Sequence, residues 1–245
     1  MNTSPQRLKR PDLSHPPRLG ANDVHIWMFE AERCHLRTRE LRILTRDEVS
    51  YSCEIESEEQ RRQFLWGRIV ARRVISLYTG LRPEDLQFRR NRNGRPELKG
   101  RTHPLRFNVT HTGMLVLIAV RRDGLLGIDA EVLRDSSDLS EVAVEFFSAK
   151  ELCILRNSDV GSRAAVFFRL WTGKEACVKA AGRGISNMGL KRLDLSRSIL
   201  KRSHFQPKPS LYVRWFTPLP GSVAAVACDA RPKAIRFFRW GTRRP

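Results

Sequence analysis

The order of the secondary-structure signals constrains the fold of this sequence more than any other feature, because the same order occurs twice. A helix predicted from Ser57 to Gly80 is followed by strand-like segments up to Val120, and a second long helix, from about Ser162 to Ala181, is again followed by strands. Small or apolar residues recur every three or four positions in the first helix, which is typical of a helix with one buried face. This order predicts an α+β fold made of two similar α+β halves.

A tight-turn signal, Asp123-Gly124, separates the two runs of elements and predicts the boundary between the halves. We therefore expect an N-terminal α+β half at residues 22–123 and a C-terminal α+β half at 124–245, which ends in a basic tail. Residues 1–21 contain prolines and basic residues without periodicity, which indicates a disordered basic arm. The strands that follow the second long helix are predicted near 191–195, 211–216, 222–228 and 234–239.

The net charge of +19 favours binding of a polyanion: nucleic acid, an acidic membrane surface, a phosphorylated cofactor or an acidic protein. Charged residues make up 29% of the chain, and no apolar run approaches the roughly 20 residues that a membrane helix needs. The N-terminus contains no apolar segment of the signal-peptide type. These features argue against a membrane protein and predict a cytoplasmic one.

Two carboxylates, Asp129 and Glu131, lie two positions apart in a predicted strand from Leu126 to Val132. Side chains at positions i and i+2 of a strand point to the same face, so Ile128 and Ala130 lie on the other face. Adjacent carboxylates repel one another unless a cation lies between them, and Mg²⁺ takes carboxylates together with substrate phosphates. The pair is a candidate Mg²⁺ site, and a solvated polar face beside the turn explains it equally well.

A second candidate group lies on the second long helix. Trp171, Glu175 and Lys179 are spaced four residues apart and share one side of that helix. The carboxylate is suited to a metal ion and the ammonium to a phosphate oxygen. An ordinary surface ion pair between Glu175 and Lys179, or a capping box from Thr172 to Glu175, explains the same residues.

A basic hairpin is predicted between Arg90 and Pro96, around the turn signal Asn93-Gly94. Its guanidinium groups, at Arg90, Arg92 and Arg95, match the geometry of a phosphate. The hairpin is therefore a candidate anion site, and a solvated turn is the alternative.

The segment Asn108-Val-Thr110-His111 lies at the end of one predicted strand and before the next. The His111 imidazole is able to donate a hydrogen bond to a phosphate. An ordinary loop histidine is the alternative.

Five blocks, taken together and in this order, carry a resemblance that none of them carries alone: Gly94-Arg-Pro96, Phe107-Asn-Val-Thr-His111, Gly127-Ile-Asp-Ala-Glu131, Phe146-Phe-Ser-x-x-Glu151 and Trp171-Thr-x-Lys-Glu-Ala-x-x-Lys-x-x-Gly-x-Gly184. In sequence and spacing they resemble the monomeric 4′-phosphopantetheinyl transferases of the Sfp type. The resemblance covers about residues 57–195.

The resemblance implies a two-lobed α+β fold with the active site in the cleft between the halves. It further implies an enzyme that transfers the 4′-phosphopantetheine moiety of coenzyme A to a serine hydroxyl of an acyl or peptidyl carrier protein and releases 3′,5′-ADP. By matching position, Asp129, Glu131 and Glu175 would bind Mg²⁺, and Lys179 would contact a phosphate and the leaving group. The nucleotide and its 3′-phosphate would be held by Arg90, Arg92, Asn93, Gly94, Arg95, Asn108, Thr110 and His111.

The general base remains open among Glu175, Glu151 and a metal-bound water. Glu151 matches a glutamate that has been considered as a base in this family, although Ser148 to Glu151 is itself a capping box. The sequence also departs from the family in one place. The basic residue that usually precedes the first long helix is missing from the stretch Glu48 to Cys53. Either Arg61 or Arg62 replaces it, or this contact to coenzyme A is absent.

The expected partners are coenzyme A and an acidic apo carrier protein, which a basic monomeric enzyme would attract electrostatically. Fatty-acid, polyketide, nonribosomal-peptide and lysine-pathway carriers all stay open. The alternatives are a basic nucleic-acid-binding protein and a coenzyme-A-binding pseudoenzyme. The sequence contains no helix-turn-helix, zinc-finger or RNP-type motif, so we expect no specific nucleic-acid partner.

Overall fold

A computed structural model describes residues 17–31, 36–90, 96–99, 105–135, 138–182, 189–197 and 211–240. The chain divides into two compact units. Unit 1 contains Met1–Asp123 together with Lys233–Pro245, and unit 2 contains Gly124–Pro232. The C-terminal half expected at 124–245 is therefore wrong at its end, because the last strand returns to unit 1.

Unit 1 is built from α-helices packed on a mixed four-stranded sheet. Its elements are β1 (Asp23–Glu30), α1 (Thr38–Leu41), α2 (Arg46–Cys53), α3 (Glu58–Thr79), β2 (Phe88–Arg90), β3 (Pro96–Leu98), β4 (Arg106–Thr112), β5 (Leu115–Arg121) and β9 (Ala234–Arg239). The main sheet has the order β4-β5-β1-β9, in which β1 is antiparallel to β5 and parallel to β9. Strands β2 and β3 form a separate antiparallel pair.

Helix α3 forms where the sequence predicts it. The Ser57 hydroxyl accepts a hydrogen bond from the Gln60 amide at its start, and Gly80 ends it with a φ of 73°. Its apolar stripe packs on the sheet residues Trp27 and Phe29 in the core of the unit. That stripe consists of Trp66, Ile69, Val70, Val74 and Ile75, all of them buried.

Unit 2 has a three-stranded antiparallel sheet of order β6-β8-β7. Its elements are β6 (Leu126–Val132), α4 (Leu139–Phe146), α5 (Ala149–Arg156), α6 (Val160–Ala181), β7 (Tyr212–Phe216) and β8 (Ser222–Cys228). The strand predicted near 191–195 is wrong. A 3-10 helix spans Leu190–Arg192 instead. The carbonyl oxygens of Leu190 and Leu193 accept hydrogen bonds from the Lys174 ammonium rather than from a neighbouring strand.

The two units share one topology, which confirms the prediction of two similar α+β halves. In each, the first strand pairs antiparallel with the second strand of the final hairpin: β1 with β5 in unit 1, and β6 with β8 in unit 2. In each, the connection contains a helix of 22 residues that ends at a left-handed glycine, Gly80 or Gly182. Strand β9 is the addition that makes the sheet of unit 1 larger.

The start of the described chain differs in part from the basic arm expected there. The basic arm expected at 1–21 lies outside the described residues up to residue 16, but it is wrong for residues 17–21. Leu19 is 5% exposed and belongs to the core of unit 1, and its carbonyl oxygen accepts a hydrogen bond from Arg122 Nε at 2.8 Å.

Within the described ranges, none of the helices has the length and apolar character needed to span a membrane.

Candidate active site

The site of unit 2 begins with an unusually close contact between a strand and a helix. At Gly127 of β6, an added Cβ would lie 2.0 Å from the Ala176 carbonyl oxygen and 2.4 Å from the Ala180 amide nitrogen. Only a residue without a side chain allows β6 to approach the backbone of α6 this closely. Because Asp129 and Glu131 lie on the same strand face as Gly127, they are turned toward α6.

The contact brings the strand carboxylates together with the helix residues that the sequence singled out. Lys179 Nζ lies 2.6 Å from Asp129 Oδ1. Asp129 is 5% exposed and Glu175 is 8% exposed, so both carboxylates are buried. Ile128 and Ala130 lie on the other face of the strand, as expected, and both are buried.

The electrostatics of Glu175 show that the carboxylates lie within one another's field. The pKa of Glu175 is raised to about 7, first by burial and then by the charge of Asp129, with a smaller contribution from Glu131. The ammonium of Lys179 opposes this rise. The buried Oε1 of Glu175 makes no hydrogen bond to the residues that the structure describes. Such an oxygen is an acceptor in need of a proton or a cation.

The three carboxylates predicted as Mg²⁺ ligands do not yet form a metal-binding cluster. Across the described parts of the chain, no group of three or more His, Cys, Asp or Glu side chains is arranged to hold a metal ion. At Asp129, the positive charge nearest the carboxylate is the Lys179 ammonium, which contacts Oδ1.

Glu151, a candidate base from sequence, lies in a different environment. Its side chain is 0% exposed and forms an ion pair with Lys174, which is also 0% exposed, at 2.8 Å. Its carboxylate also accepts hydrogen bonds from the amides of Ser148 at 2.7 Å and Leu195 at 2.8 Å. The capping box from Ser148 to Glu151 is present. A carboxylate saturated in this way and shielded from solvent has no access to a substrate hydroxyl in this structure, which argues against Glu151 as the base.

Lys174 is the residue that sequence reasoning missed. A signal for it existed: the neighbours three and four positions away on the helix are Leu170, Trp171, Cys177 and Val178, which offer no partner for a charge. A lysine on such an apolar stripe must find its partners elsewhere in the fold.

In unit 1, strand β4 separates the predicted nucleotide contacts. Thr110 and His111 were expected in a connection, but β4 runs through them and the turn falls at Gly113, with a φ of 50°. Asn108 and Thr110 are buried on one face of β4, whereas His111 is exposed on the other. These three residues therefore do not point into one site.

His111 lines a cavity of about 190 Å³ between α3 and the strands β3 and β4. Phe64 and Phe88 form aromatic walls, the Arg68 guanidinium lies 5.2 Å from the centre of the Phe64 ring, and Gly67 provides open space at the helix surface. An aromatic cavity beside a cation is suited to a flat, anionic ligand.

The two strands that flank the predicted basic hairpin are present. Strands β2 and β3 pair with Arg90 opposite Pro96. Arg92, Asn93, Gly94 and Arg95 lie outside the described residues, so their role as anion ligands stays a prediction.

The departure at Glu48 has a structural explanation. Its Oε2 accepts hydrogen bonds from Arg72 Nε at 3.1 Å and Arg72 Nη2 at 2.9 Å, so the acid anchors α2 to α3. A neighbouring cavity of about 850 Å³ is lined by Glu48 and Tyr51 and also by Arg68 and Lys99. Arg61 and Arg62, the substitutes suggested by the sequence, do not line either cavity, whereas Arg68 lines both.

Comparison with known proteins agrees with this division of the chain. A family model described as 4′-phosphopantetheinyl transferase, N-terminal, matches residues 33–123, and the model of the 4′-phosphopantetheinyl transferase superfamily matches residues 125–223. The 4′-phosphopantetheinyl transferase HetI of Nostoc sp. is 32% identical over 220 residues, which cover 88% of this chain and 92% of HetI.

Two more relatives match shorter parts of the chain. A putative 4′-phosphopantetheinyl transferase of Synechocystis sp. is 30% identical over 161 residues, or 65% of either chain. The 4′-phosphopantetheinyl transferase Sfp of Bacillus subtilis is 31% identical over 129 residues, which cover 53% of this chain and 56% of Sfp.

Proposed function

Because the chain belongs to the 4′-phosphopantetheinyl transferase superfamily, we propose that it transfers the 4′-phosphopantetheine moiety of coenzyme A to a serine hydroxyl of a carrier protein, with Mg²⁺ as cofactor and 3′,5′-ADP as the released product. The observation that carries the proposal is the group of Asp129, Glu175 and Lys179 at the contact of β6 and α6. Two acids and one ammonium in a buried setting are suited to a pyrophosphate and its counter-cation.

The residues that would hold Mg²⁺ are Asp129, Glu131 and Glu175. Their fit is supported by the buried Oε1 of Glu175, which makes no hydrogen bond to the described residues, and by the pKa of this carboxyl, which is raised first by burial and then by the charge of Asp129. A bound Mg²⁺ would supply positive charge to the pyrophosphate as its P–O bond breaks. A metal ion held there would compete with the Lys179 ammonium for Asp129, and an ammonium displaced from Oδ1 would be available for a phosphate oxygen.

In the proposed reaction, Lys179 and Glu175 have separate roles, one toward the leaving group and one toward the serine proton. The carrier serine oxygen forms a bond to the phosphorus next to pantetheine, while the bond from that phosphorus to the bridging oxygen of the ADP moiety breaks. Lys179 would neutralise the charge that develops on the leaving group. Glu175 is also the proposed acceptor of the serine proton.

The nucleotide end of coenzyme A would bind to unit 1. The cavity lined by Phe64, Gly67 and His111 has aromatic walls for an adenine ring, and Arg68 lines this cavity and the adjacent larger one. We propose that Arg68 takes the place of the basic residue missing near Tyr51. Arg90, Arg92, Asn93, Gly94 and Arg95 of the hairpin remain proposed contacts. Asn108 and Thr110 lie on the face of β4 opposite His111, so they are not proposed as ligands of this cavity.

The partner is proposed to be an acidic apo carrier protein, and the enzyme to act as a cytoplasmic monomer. The net charge of +19 supports electrostatic attraction of both coenzyme A and an acidic carrier.

The proposed function is tested by incubating the protein with Mg²⁺, coenzyme A and a panel of apo carriers, and by following the mass of each carrier. We expect a phosphopantetheine mass increase on at least one carrier, with 3′,5′-ADP as the second product. The Glu175→Ala variant should lose this activity while it stays folded, and the exposed Glu145→Ala variant of α4 should keep it. No mass increase on any carrier, or full turnover by Glu175→Ala, would refute the proposed site.

A further inference from the structure

A buried ion pair behind the candidate site has no part in the proposed chemistry. Lys174 and Glu151 are both 0% exposed, and their charged atoms lie 2.8 Å apart. An ion pair without solvent loses the hydration of both charges, and apolar residues of similar size often give equal or higher stability. Stability alone therefore does not account for the pair.

The Lys174 ammonium is a fixed junction between separate segments. It donates to the carbonyl oxygens of Leu190 at 2.7 Å and Leu193 at 2.6 Å, in addition to Glu151. These three bonds use all three donors of the ammonium. Phe147 lies beside it, with its ring centre 5.7 Å from Nζ.

Glu151 completes the junction from the other side. Its two oxygens accept from the Ser148 amide, the Leu195 amide and Lys174. The pair thus connects the start of α5, the middle of α6 and the segment Leu190–Leu195. Burial lowers the pKa of Lys174 and the charge of Glu151 opposes this effect, as expected for two groups that depend on each other.

The position of the junction on α6 relates it to the candidate site. Lys174 precedes Glu175, so their side chains leave the helix about 100° apart. Glu175 and Lys179, one turn apart, lie on the side that faces β6, where Gly127 contacts Ala176 and Ala180. Helix α6 is therefore held by backbone contact on one side and by the Lys174 ammonium on another.

From this geometry we infer that Lys174 and Glu151 are positioning residues, which fix the rotation of α6 and so hold Glu175 and Lys179 against Asp129. This inference rests on the proposed function for its kinetic consequence, but its structural part stands on the contacts alone. Small displacements of catalytic groups lower turnover by as much as about a hundredfold.

The test compares the single variants Lys174→Met and Glu151→Gln with the double variant, at a temperature at which all of them are folded. The double variant removes both charges, so it should regain most of the melting temperature lost in Lys174→Met. Its kcat should nevertheless stay about ten- to a hundredfold below that of the wild type, with KM for coenzyme A changed less than about twofold. Val213→Ala, a buried change in β7, serves as a control that loses stability but keeps kcat.

Amide hydrogen exchange provides a second readout that does not depend on activity. In the double variant we expect faster exchange at Leu190–Leu195 and also in the turn from Glu175 to Lys179. Wild-type kcat in the double variant, or unchanged exchange in that turn, would overturn the positioning role. If Lys174→Met does not fold, Glu151→Gln and the double variant carry the same comparison. A wild-type protein inactive on every carrier would contradict the proposed function, and exchange alone would then decide the inference.

Discussion

Lys179 Nζ and Asp129 Oδ1 lie 2.6 Å apart, in a contact between residues separated by 50 positions in the chain. The Lys179 side chain is 29% exposed, whereas the Asp129 side chain is 7% exposed. Lys179 therefore lies at the edge of the site, and Asp129 lies inside it. This contact places a positive charge where the proposed metal ion also needs an oxygen ligand.

Replacing Lys179 with Met should therefore raise the affinity for a divalent cation while it lowers transfer. Removal of a unit charge in contact with a ligand oxygen is expected to tighten Mn²⁺ binding by on the order of tenfold. Isothermal titration calorimetry, or electron paramagnetic resonance of free and bound Mn²⁺, measures this affinity in the absence of coenzyme A. Lys150→Met is the matched control, because this lysine is 71% exposed and lies 3.9 Å from Asp194 rather than in the site. Equal tightening in both variants would point to the general field of the protein and not to competition at Asp129.

The raised pKa of Glu175 predicts a cost in stability that depends on pH. The folded state binds the Glu175 proton more tightly than the unfolded state, with a pKa of about 7 against 4.5. Stability from this group is therefore present below pH 4.5 and is lost as the pH rises through 7. Glu175→Gln should be more stable than the wild type at pH 8, by about 1 to 3 kcal/mol, and similar to it at pH 4.5.

Denaturant unfolding in the presence of a chelator, at both pH values, checks this prediction. Glu145→Gln, an exposed change in the same unit, should show no such difference. A stability gain for Glu175→Gln that is the same at both pH values would mean that the gain comes from packing.

The contact at Gly127 predicts strong sensitivity to a single methyl group. Gly127→Ala should destabilise unit 2 by at least about 2 kcal/mol, because the new Cβ overlaps the backbone of α6 and forces β6 away from it. Transfer should fall even in the folded fraction, since Asp129 moves with the strand. Thermal unfolding and the carrier mass assay measure the two effects.

Gly161→Ala is the control for this change. It lies on α6, and an added Cβ there meets nothing within 4 Å. Stability and transfer should both be retained, and a loss as large as that of Gly127→Ala would show that the close contact is not the cause.

The cavity at Gly67 predicts a variant that blocks the donor without unfolding the protein. Space is open above this residue, so Gly67→Leu should fill the cavity lined by Phe64 and His111 and raise KM for coenzyme A by about tenfold or more. Gly67→Ala should add about 0.5 to 1 kcal/mol of stability, because alanine is the better helix former. Steady-state kinetics with varied coenzyme A checks the first effect, and an unchanged KM for Gly67→Leu would remove this cavity as the nucleotide site.

Elements that depend only on neighbours along the chain are predictable from the amino-acid sequence. The helix periods, the caps at Ser57 and Gly80, and the shared strand face of Asp129 and Glu131 are local properties, and the structure contains each of them. The repeated order of helix and strands was enough to predict two similar α+β halves, since each half must cover one sheet face with its long helix.

The partners of the charged residues in the candidate site depend on contacts between elements that are far apart in the sequence. The local sequence predicts Glu151 as part of a capping box and as a candidate base. Its burial follows from its ion pair with Lys174, which lies on another helix, α6. The return of β9 to β1 and the contact between Lys179 and Asp129 likewise join residues far apart in sequence. The free energy of such contacts depends on what lies across from a side chain and how well it is desolvated, and no local pattern contains that information.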